Sequence, residues 1–174
     1  MSINLNLIRE EDAEEILEFE LENRSFFSSI IPDRGDEYFS LHYLNRLLKE
    51  IVSDQHNGKC FMYLIRNEEQ KLVGRINLFS VVRDDLQKAE LGYRIGKRCN
   101  GRGYATKAVN LVIHEAFSRN GLRRLEAATD PDNIGSQIVL IKNKFQFVGR
   151  TPQYIRVNSE WKDSIHFSLL NPNR

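Results

Sequence analysis

Two cysteines among 174 residues build no disulfide framework, and Cys60 and Cys99 have no zinc-ligand spacing. The four histidines, His42, His56, His114 and His166, are scattered, so no metal is expected. No run approaches the roughly 18 apolar residues of a membrane span. Met1-Ser2-Ile3-Asn4-Leu5 lacks a basic region followed by an apolar run, so no signal peptide is expected. A net charge of +1 leaves no global basic field, which argues against direct nucleic-acid binding. A reduced, cytoplasmic setting fits these absences. What is present is a chain 41% apolar and 28% charged, long enough for one domain with a real core.

Read in order, Ile3 to Leu7 alternates apolar and polar as a strand does. Glu10-Glu11-Asp12 place acids in a first helical turn, and Ala13, Ile16, Leu17 and Leu21 form the expected apolar stripe. Residues 24 to 35 read as irregular. A second helix is expected from about Asp36, with Leu41, Leu44, Leu48, Ile51 and Val52 at helical spacing, ending at His56-Asn57-Gly58. Cys60 to Arg66, Leu72 to Val82 and Lys88 to Ile95 read as a meander of three strands. A helix from Tyr104 to Arg119, capped by Gly121, precedes a strand at Arg123 to Thr129. Asp130-Pro131-Asp132-Asn133 breaks that strand and caps a helix to about Lys142. Strands at Phe145 to Val157 and Lys162 to Leu170 flank a turn at Asn158-Ser159. The order β-α-α-β-β-β-α-β-α-β-β predicts an α/β (α+β) fold of about seven strands and four helices. Its sheet is mostly antiparallel, and the crossover from Lys88 to Thr129 supplies one parallel pair. No repeat or linker interrupts it, so residues 1–174 are expected to form a single domain.

The informative stretch is Glu90-Leu91-Gly92-Tyr93-Arg94-Ile95-Gly96-Lys97-Arg98-Cys99-Asn100-Gly101-Arg102-Gly103-Tyr104-Ala105-Thr106-Lys107. A strand turns through a glycine-rich basic loop and opens a helix. Backbone N–H groups and the positive helix end then converge on one spot, which suits a phosphate. Gly101 and Gly103 remove side chains that would block it, and Arg98, Arg102 and Lys107 add charge. A P-loop needs two glycines five apart followed by Lys and Ser/Thr, and none is present. A dinucleotide fingerprint needs a third glycine where Thr106 stands. An ordinary strand-to-helix turn with solvated arginines remains the plain alternative.

Arg98-Cys99-Asn100-Gly101-Arg102-Gly103 fits Arg/Gln-x-x-Gly-x-Gly/Ala. It resembles the pyrophosphate loop of the GNAT N-acetyltransferases, and the element order over nearly the whole chain is also theirs. Ala89-Glu90-Leu91-Gly92-Tyr93, Asn133-Ile134-Gly135-Ser136-Gln137 and Lys142-Asn143-Lys144-Phe145 are similar to the ribosomal-protein (RimJ/RimL-type) branch. The ending around Asn158 and Asp163 looks like that branch too. One departure is Lys144, where the branch has glycine before the phenylalanine; Asn143 is expected to supply the left-handed helix cap instead.

The resemblance implies acetyl transfer from acetyl-CoA to a primary amine, with the cradle at Arg98, Asn100, Gly101, Arg102, Gly103, Tyr104, Ala105 and Thr106. Splayed parallel strands leave backbone groups for an extended pantetheine arm, expected at Tyr93, Arg94 and Ile95. Asn133 caps its helix and is a candidate for reaching the same arm. Ser136 is the candidate to protonate the departing thiolate, or a serine bound to backbone in a first helical turn. Tyr154 is a second candidate acid or a packing residue. Glu90 is the candidate base, acting through water, or a solvated strand glutamate. An α-amine, with a pKa near 8, is about one-tenth neutral at pH 7, whereas a lysine side chain is neutral less than about 0.1% of the time, so an N-terminus needs only a weak base. Cys99 sits where a thiol is activated, but no His or acid is patterned around it for covalent catalysis. Lys142 reads as a solvated helix-end charge.

Arg24 to Tyr38 and Asn158 to Trp161 are the candidate acceptor groove, with Phe26, Phe27, Tyr38 and Trp161 as an apolar wall or simply core. No acidic cluster suited to a polycation stands out, although Asp33, Asp36 and Glu37 are close in sequence. Three functions remain open: acetylation of a protein N-terminus, acetylation of a small amine (a polyamine, aminoglycoside or amino acid), and a non-catalytic CoA-binding module. Nucleotide binding without CoA is a fourth. A homodimer is compatible with each.

Overall fold

A computed structural model describes residues 2–157 and 159–173. Seven strands form one sheet in the order β1-β2-β3-β4-β5-β7-β6. These are β1 (Ile3–Leu7), β2 (Phe61–Asn67), β3 (Leu72–Val82), β4 (Lys88–Ile95), β5 (Arg124–Thr129), β6 (Gln146–Val157) and β7 (Glu160–Leu170). Four α-helices accompany them: α1 (Ala13–Ser28), α2 (Leu41–His56), α3 (Tyr104–His114) and α4 (Ile134–Lys142). All neighbouring strands run antiparallel except β4 and β5. The expected mixed sheet with one parallel pair is therefore present.

The two faces of the sheet carry separate cores. On one, Ile76, Leu78, Leu91 and Ile95 pack with Ala108, Val109 and Val112 of α3 and Leu140 of α4. On the other, Ile16 of α1 and Leu44, Leu48 and Ile51 of α2 pack with Leu64 of β2. Among the described residues, no helix is long and apolar enough to cross a membrane.

Several expectations are corrected. The first helix does not stop near residue 24 but runs to Ser28, because Phe19, Asn23 and Phe27 continue its buried face and the Phe19 and Phe27 rings meet at 5.8 Å. Leu21 is not on that face; it lies about 140° round from Ile16 at 100° per residue and is 50% exposed. Asp36 opens only a 3-10 turn to Phe39, after which Ser40 caps α2, its Oγ accepting from the Tyr43 N–H at 3.2 Å. The α-helical part of α3 ends at His114, and a π-turn continues it over Glu115–Arg119. Asn143 is not left-handed (φ −91), whereas Lys144 is (φ 69). The Asn143 side chain is instead buried, donating to the Thr106 carbonyl at 3.1 Å and tying the end of α4 to the start of α3. Asn158, expected in the final turn and the acceptor groove, lies outside the described residues.

Candidate active site

β4 and β5 pair only through Lys88↔Arg124, Ala89↔Leu125 and Glu90↔Glu126. Beyond these three pairs β4 runs on to Ile95 and β5 to Thr129 with no ladder between them. The gap continues into a cleft of about 700 Å³, floored by Leu91–Ile95 of β4 and Ala127–Thr129 of β5. Its ends are Asn100, Gly101 and Gly103–Thr106 on one side and Asn133, Ser136 and Val139 on the other.

The loop at the head of α3 is shaped by its glycines. Gly101 has φ 73 and Gly103 has φ 81, conformations that L residues rarely adopt. Gly103 is the residue before the helix, so the free N–H groups of its first turn open toward the cleft. A Cβ on Gly101 would meet no heavy atom within 4 Å, so the space beside it is open. The Asn100 amide donates to the Ile95 and Gly96 carbonyls at 3.2 and 3.3 Å, closing the turn. At the start of the loop the Lys97 N–H donates to Asn23 Oδ1 at 2.8 Å, which ties the loop to α1.

Across the gap, Tyr93 Oη and Ser136 Oγ lie 2.9 Å apart. This contact links β4 to the first turn of α4. Burial pushes the Tyr93 hydroxyl above the usual phenol range, opposed by the Ser136 hydrogen bond. Ser136 is held by the cap of α4, its N–H donating to Asn133 Oδ1 at 3.1 Å. The capping role expected of Asn133 is thus present. Tyr154 also lines the cleft, stacked edge-on against His166 at 5.0 Å.

Tyr93, Arg94, Ile95, Asn100, Gly101, Gly103, Tyr104, Ala105, Thr106, Asn133 and Ser136 all lie along one continuous cleft. Three predicted residues do not line it. Arg98 is exposed beside Glu22 at 3.4 Å, and Arg102 is exposed. Glu90 pairs across the ladder with Phe79, and the Phe79 ring covers Gly92, the next residue on the same face of β4. The glutamate is therefore screened from the cleft. Cys99 is half-buried against the cleft, whereas Cys60 is buried elsewhere, its thiol pushed up by burial.

Sequence reasoning missed the buried charges behind the floor. Glu20 of α1 is only 1% exposed. Its Oε1 accepts from Arg75 Nη1 at 2.7 Å and its Oε2 from Arg94 Nη1 at 2.8 Å. Arg75 also donates to Tyr38 Oη at 3.1 Å, so Tyr38 serves this network rather than an apolar wall. Burial draws Arg94 below the ordinary arginine range, and Glu20 opposes the shift. The available signal was Glu20 and Asn23 at i+4 and i+7 from Ile16, on the face that should have been apolar.

A gap between parallel strands, beside a glycine-opened helix start and a half-buried pair of hydroxyls, is an arrangement of the acetyltransferase class. The comparisons agree with it. The family model for the Acetyltransferase (GNAT) domain matches residues 2–146, and the chain belongs to that family; it is a GNAT N-acetyltransferase. It is 35% identical over 163 residues to the probable N-acetyltransferase YjcK of Bacillus subtilis, covering 93% of this chain and 90% of that one. It is also similar to the crystal structure of ribosomal-protein-S5-alanine acetyltransferase from Vibrio fischeri. There the TM-score is 0.95 at 25% identity, over 99% of this chain and 95% of that chain. Mycobacterium smegmatis RimJ in complex with CoA-disulfide shares the fold, with a TM-score of 0.90 at 21% identity, over 98% and 83% of the two chains.

Proposed function

We propose that this chain transfers the acetyl group of acetyl-CoA to the N-terminal α-amine of a protein. The observation that carries the reading is the parting of β4 from β5 after three pairs, with Gly101–Gly103 at one end of the gap and the Tyr93–Ser136 hydroxyls across it. The residues fit the carrier: the space beside Gly101 is open, and the β5-facing edge of β4 beyond Glu90 has no strand partner.

When bound, acetyl-CoA supplies a thioester, an acyl donor with a good leaving group. The chain's own residues do the rest. The backbone of Gly101–Thr106, at the N-terminus of α3, holds the diphosphate, with Arg98 and Arg102 adding charge from the surface. The backbone of Tyr93–Ile95 pairs with the extended arm as an added strand, and Asn133 adds a polar contact beside its cap. An N–H on that strand aimed at the thioester oxygen contributes about 3 kcal/mol as negative charge develops. As the amine displaces the thiolate and releases a proton to water, Ser136 Oγ gives its proton to the departing sulfur. Tyr93 Oη, hydrogen-bonded to the serine, passes on the proton that restores it and is itself reprotonated from water. A phenol is protonated at neutral pH, and burial pushes the Tyr93 titration further up.

Glu90, screened by Phe79, acts as base only through water. That suffices for an α-amine with a pKa near 8 and not for a lysine side chain. The Vibrio fischeri relative is named for an alanine of ribosomal protein S5, which supports a protein N-terminus over other amines. The test is acetyl-CoA turnover against N-terminal peptides, free lysine and spermidine, read by mass spectrometry of the acetylated amine. Acetylation of peptide α-amines is expected. Acetylation of spermidine alone refutes the choice of acceptor. Tight acetyl-CoA binding with no product refutes catalysis, and equal affinity for ATP refutes the carrier.

A further inference from the structure

The acceptor side of the cleft carries more positive charge than it neutralises. Arg34, Arg75 and Arg94 all line it. Glu20 is the carboxylate that meets Arg75 and Arg94, each of its oxygens taken by a different guanidinium. Arg75 is buried, and its Nε–H has no partner. Arg34 lies over the Tyr38 ring at 4.8 Å and has no ion pair among the described residues.

The other carboxylates nearby are engaged elsewhere. Asp33 and Asp36 are both bound to Arg24, at 2.9 and 2.7 Å. On the opposite wall, Asp163 is paired with Arg150 at 2.6 Å and Asp130 with Lys162 at 3.4 Å. Two largely buried guanidiniums therefore share one carboxylate, with the exposed Arg34 lining the same cleft without an ion pair among the described residues, an arrangement that favours an incoming anion.

The wall also sets a distance. Arg75 and Arg94 are directly paired across β3 and β4, and Asn77 and Gly92 are the next pair on the same face. Asn77 lines the cleft, and its buried amide oxygen has no partner, which suits an N–H of the acceptor. Two residues along a strand span about 6.8 Å. An amine held at Asn77 thus places an anion at the arginines about two extended residues away. An amino acid's own carboxylate is too close to its amine for that span.

We infer that the acceptor is an N-terminus carrying an aspartate or glutamate at its second position, the side-chain carboxylate seated on Arg34, Arg75 and Arg94. The inference rests on the proposed acetylation of an N-terminal amine and narrows its substrate. It disfavours polycationic acceptors.

The test uses the full chain loaded with CoA, which cannot react. Hexapeptides beginning Ala-Asp, Ala-Asn or Ala-Lys, labelled at the C-terminus, are titrated by fluorescence anisotropy. The Ala-Asp peptide is expected to bind about fivefold or more tightly than Ala-Asn, and Ala-Lys more weakly than either. Added salt should shrink the ratio. Arg34→Gln, on an exposed segment, should cut it to about twofold, and Arg94→Gln, with its fold checked by circular dichroism, should cut it further. Equal binding of the three peptides, or preference for Ala-Lys, overturns the inference. The same peptides with acetyl-CoA separate the two readings. Acid-selective binding with no acetylation sinks the proposed function and keeps the anion wall. Acetylation at equal kcat/KM on all three keeps the function and sinks the wall.

Discussion

Replacing Gly101 by alanine separates what the loop does for the fold from what it does for a ligand. Gly101 has φ 73, where an L residue costs about 1–2 kcal/mol. The added methyl meets no protein atom within 4 Å, so no clash adds to that cost. The melting temperature should fall by roughly 2–8 °C, at 2–4 °C per kcal/mol for a chain of this size. The methyl does enter the space beside the α3 N-terminus where a diphosphate would sit. CoA affinity should then drop about tenfold, or 1.4 kcal/mol. At saturating CoA the stabilisation by ligand should shrink by the same amount, about 3–6 °C less rise in melting temperature than wild type. Calorimetry with CoA measures the affinity, and pantetheine, which lacks the diphosphate, is the control whose binding should not change. A bulkier Gly103→Val, at φ 81, should show the same selectivity with a larger melting loss. A variant that melts lower as calculated yet binds CoA as wild type does would show that the diphosphate lies elsewhere.

Tyr93→Phe and Ser136→Ala should each lower kcat by about 100-fold while CoA affinity holds, because each removes a member of the 2.9 Å hydroxyl pair. A phenol is protonated at neutral pH, and burial raises the Tyr93 titration, so any loss of rate from its ionisation should begin at higher pH than for a free phenol. A decline starting near neutrality would exclude Tyr93 from the relay. Glu20→Gln leaves two buried guanidiniums facing a neutral amide and should destabilise the fold by about 3–5 kcal/mol in urea unfolding; a loss below about 1 kcal/mol would mean the network is not built as described. Lys144→Gly relieves a left-handed lysine (φ 69) and should raise stability by about 1 kcal/mol, a melting gain of about 2–4 °C. A lowered melting temperature would place the value of Lys144 in its side chain.

Some of this was legible along the chain. Apolar strand-like runs bounded by turn residues placed β3 and β4 at their observed ends, Leu72–Val82 and Lys88–Ile95, because strand composition and turn chemistry are local properties. Gly101, Gly103 and the Asn133 cap were equally readable, since backbone conformation and capping depend on neighbours a few residues away. The crossover between Lys88 and Thr129 implied the parallel pair, while the family came from the resemblance carried by Arg98–Gly103 and the element order.

What the sequence by itself determined was therefore the order of elements and the place of the loop, which follow from short-range periodicity and stereochemistry. The tertiary structure decided the rest. Tyr93 meets Ser136, 43 residues away, and Glu20 meets Arg75 and Arg94, 55 and 74 residues away. No local pattern encodes such contacts, since they exist only once helix and sheet are packed. The same packing keeps α1 helical to Ser28 and lays Phe79 over Gly92, screening Glu90 from the cleft. Local chemistry wrote the glycine loop at the head of α3; the buried charges of Glu20, Arg75 and Arg94 come from residues that only folding brings together.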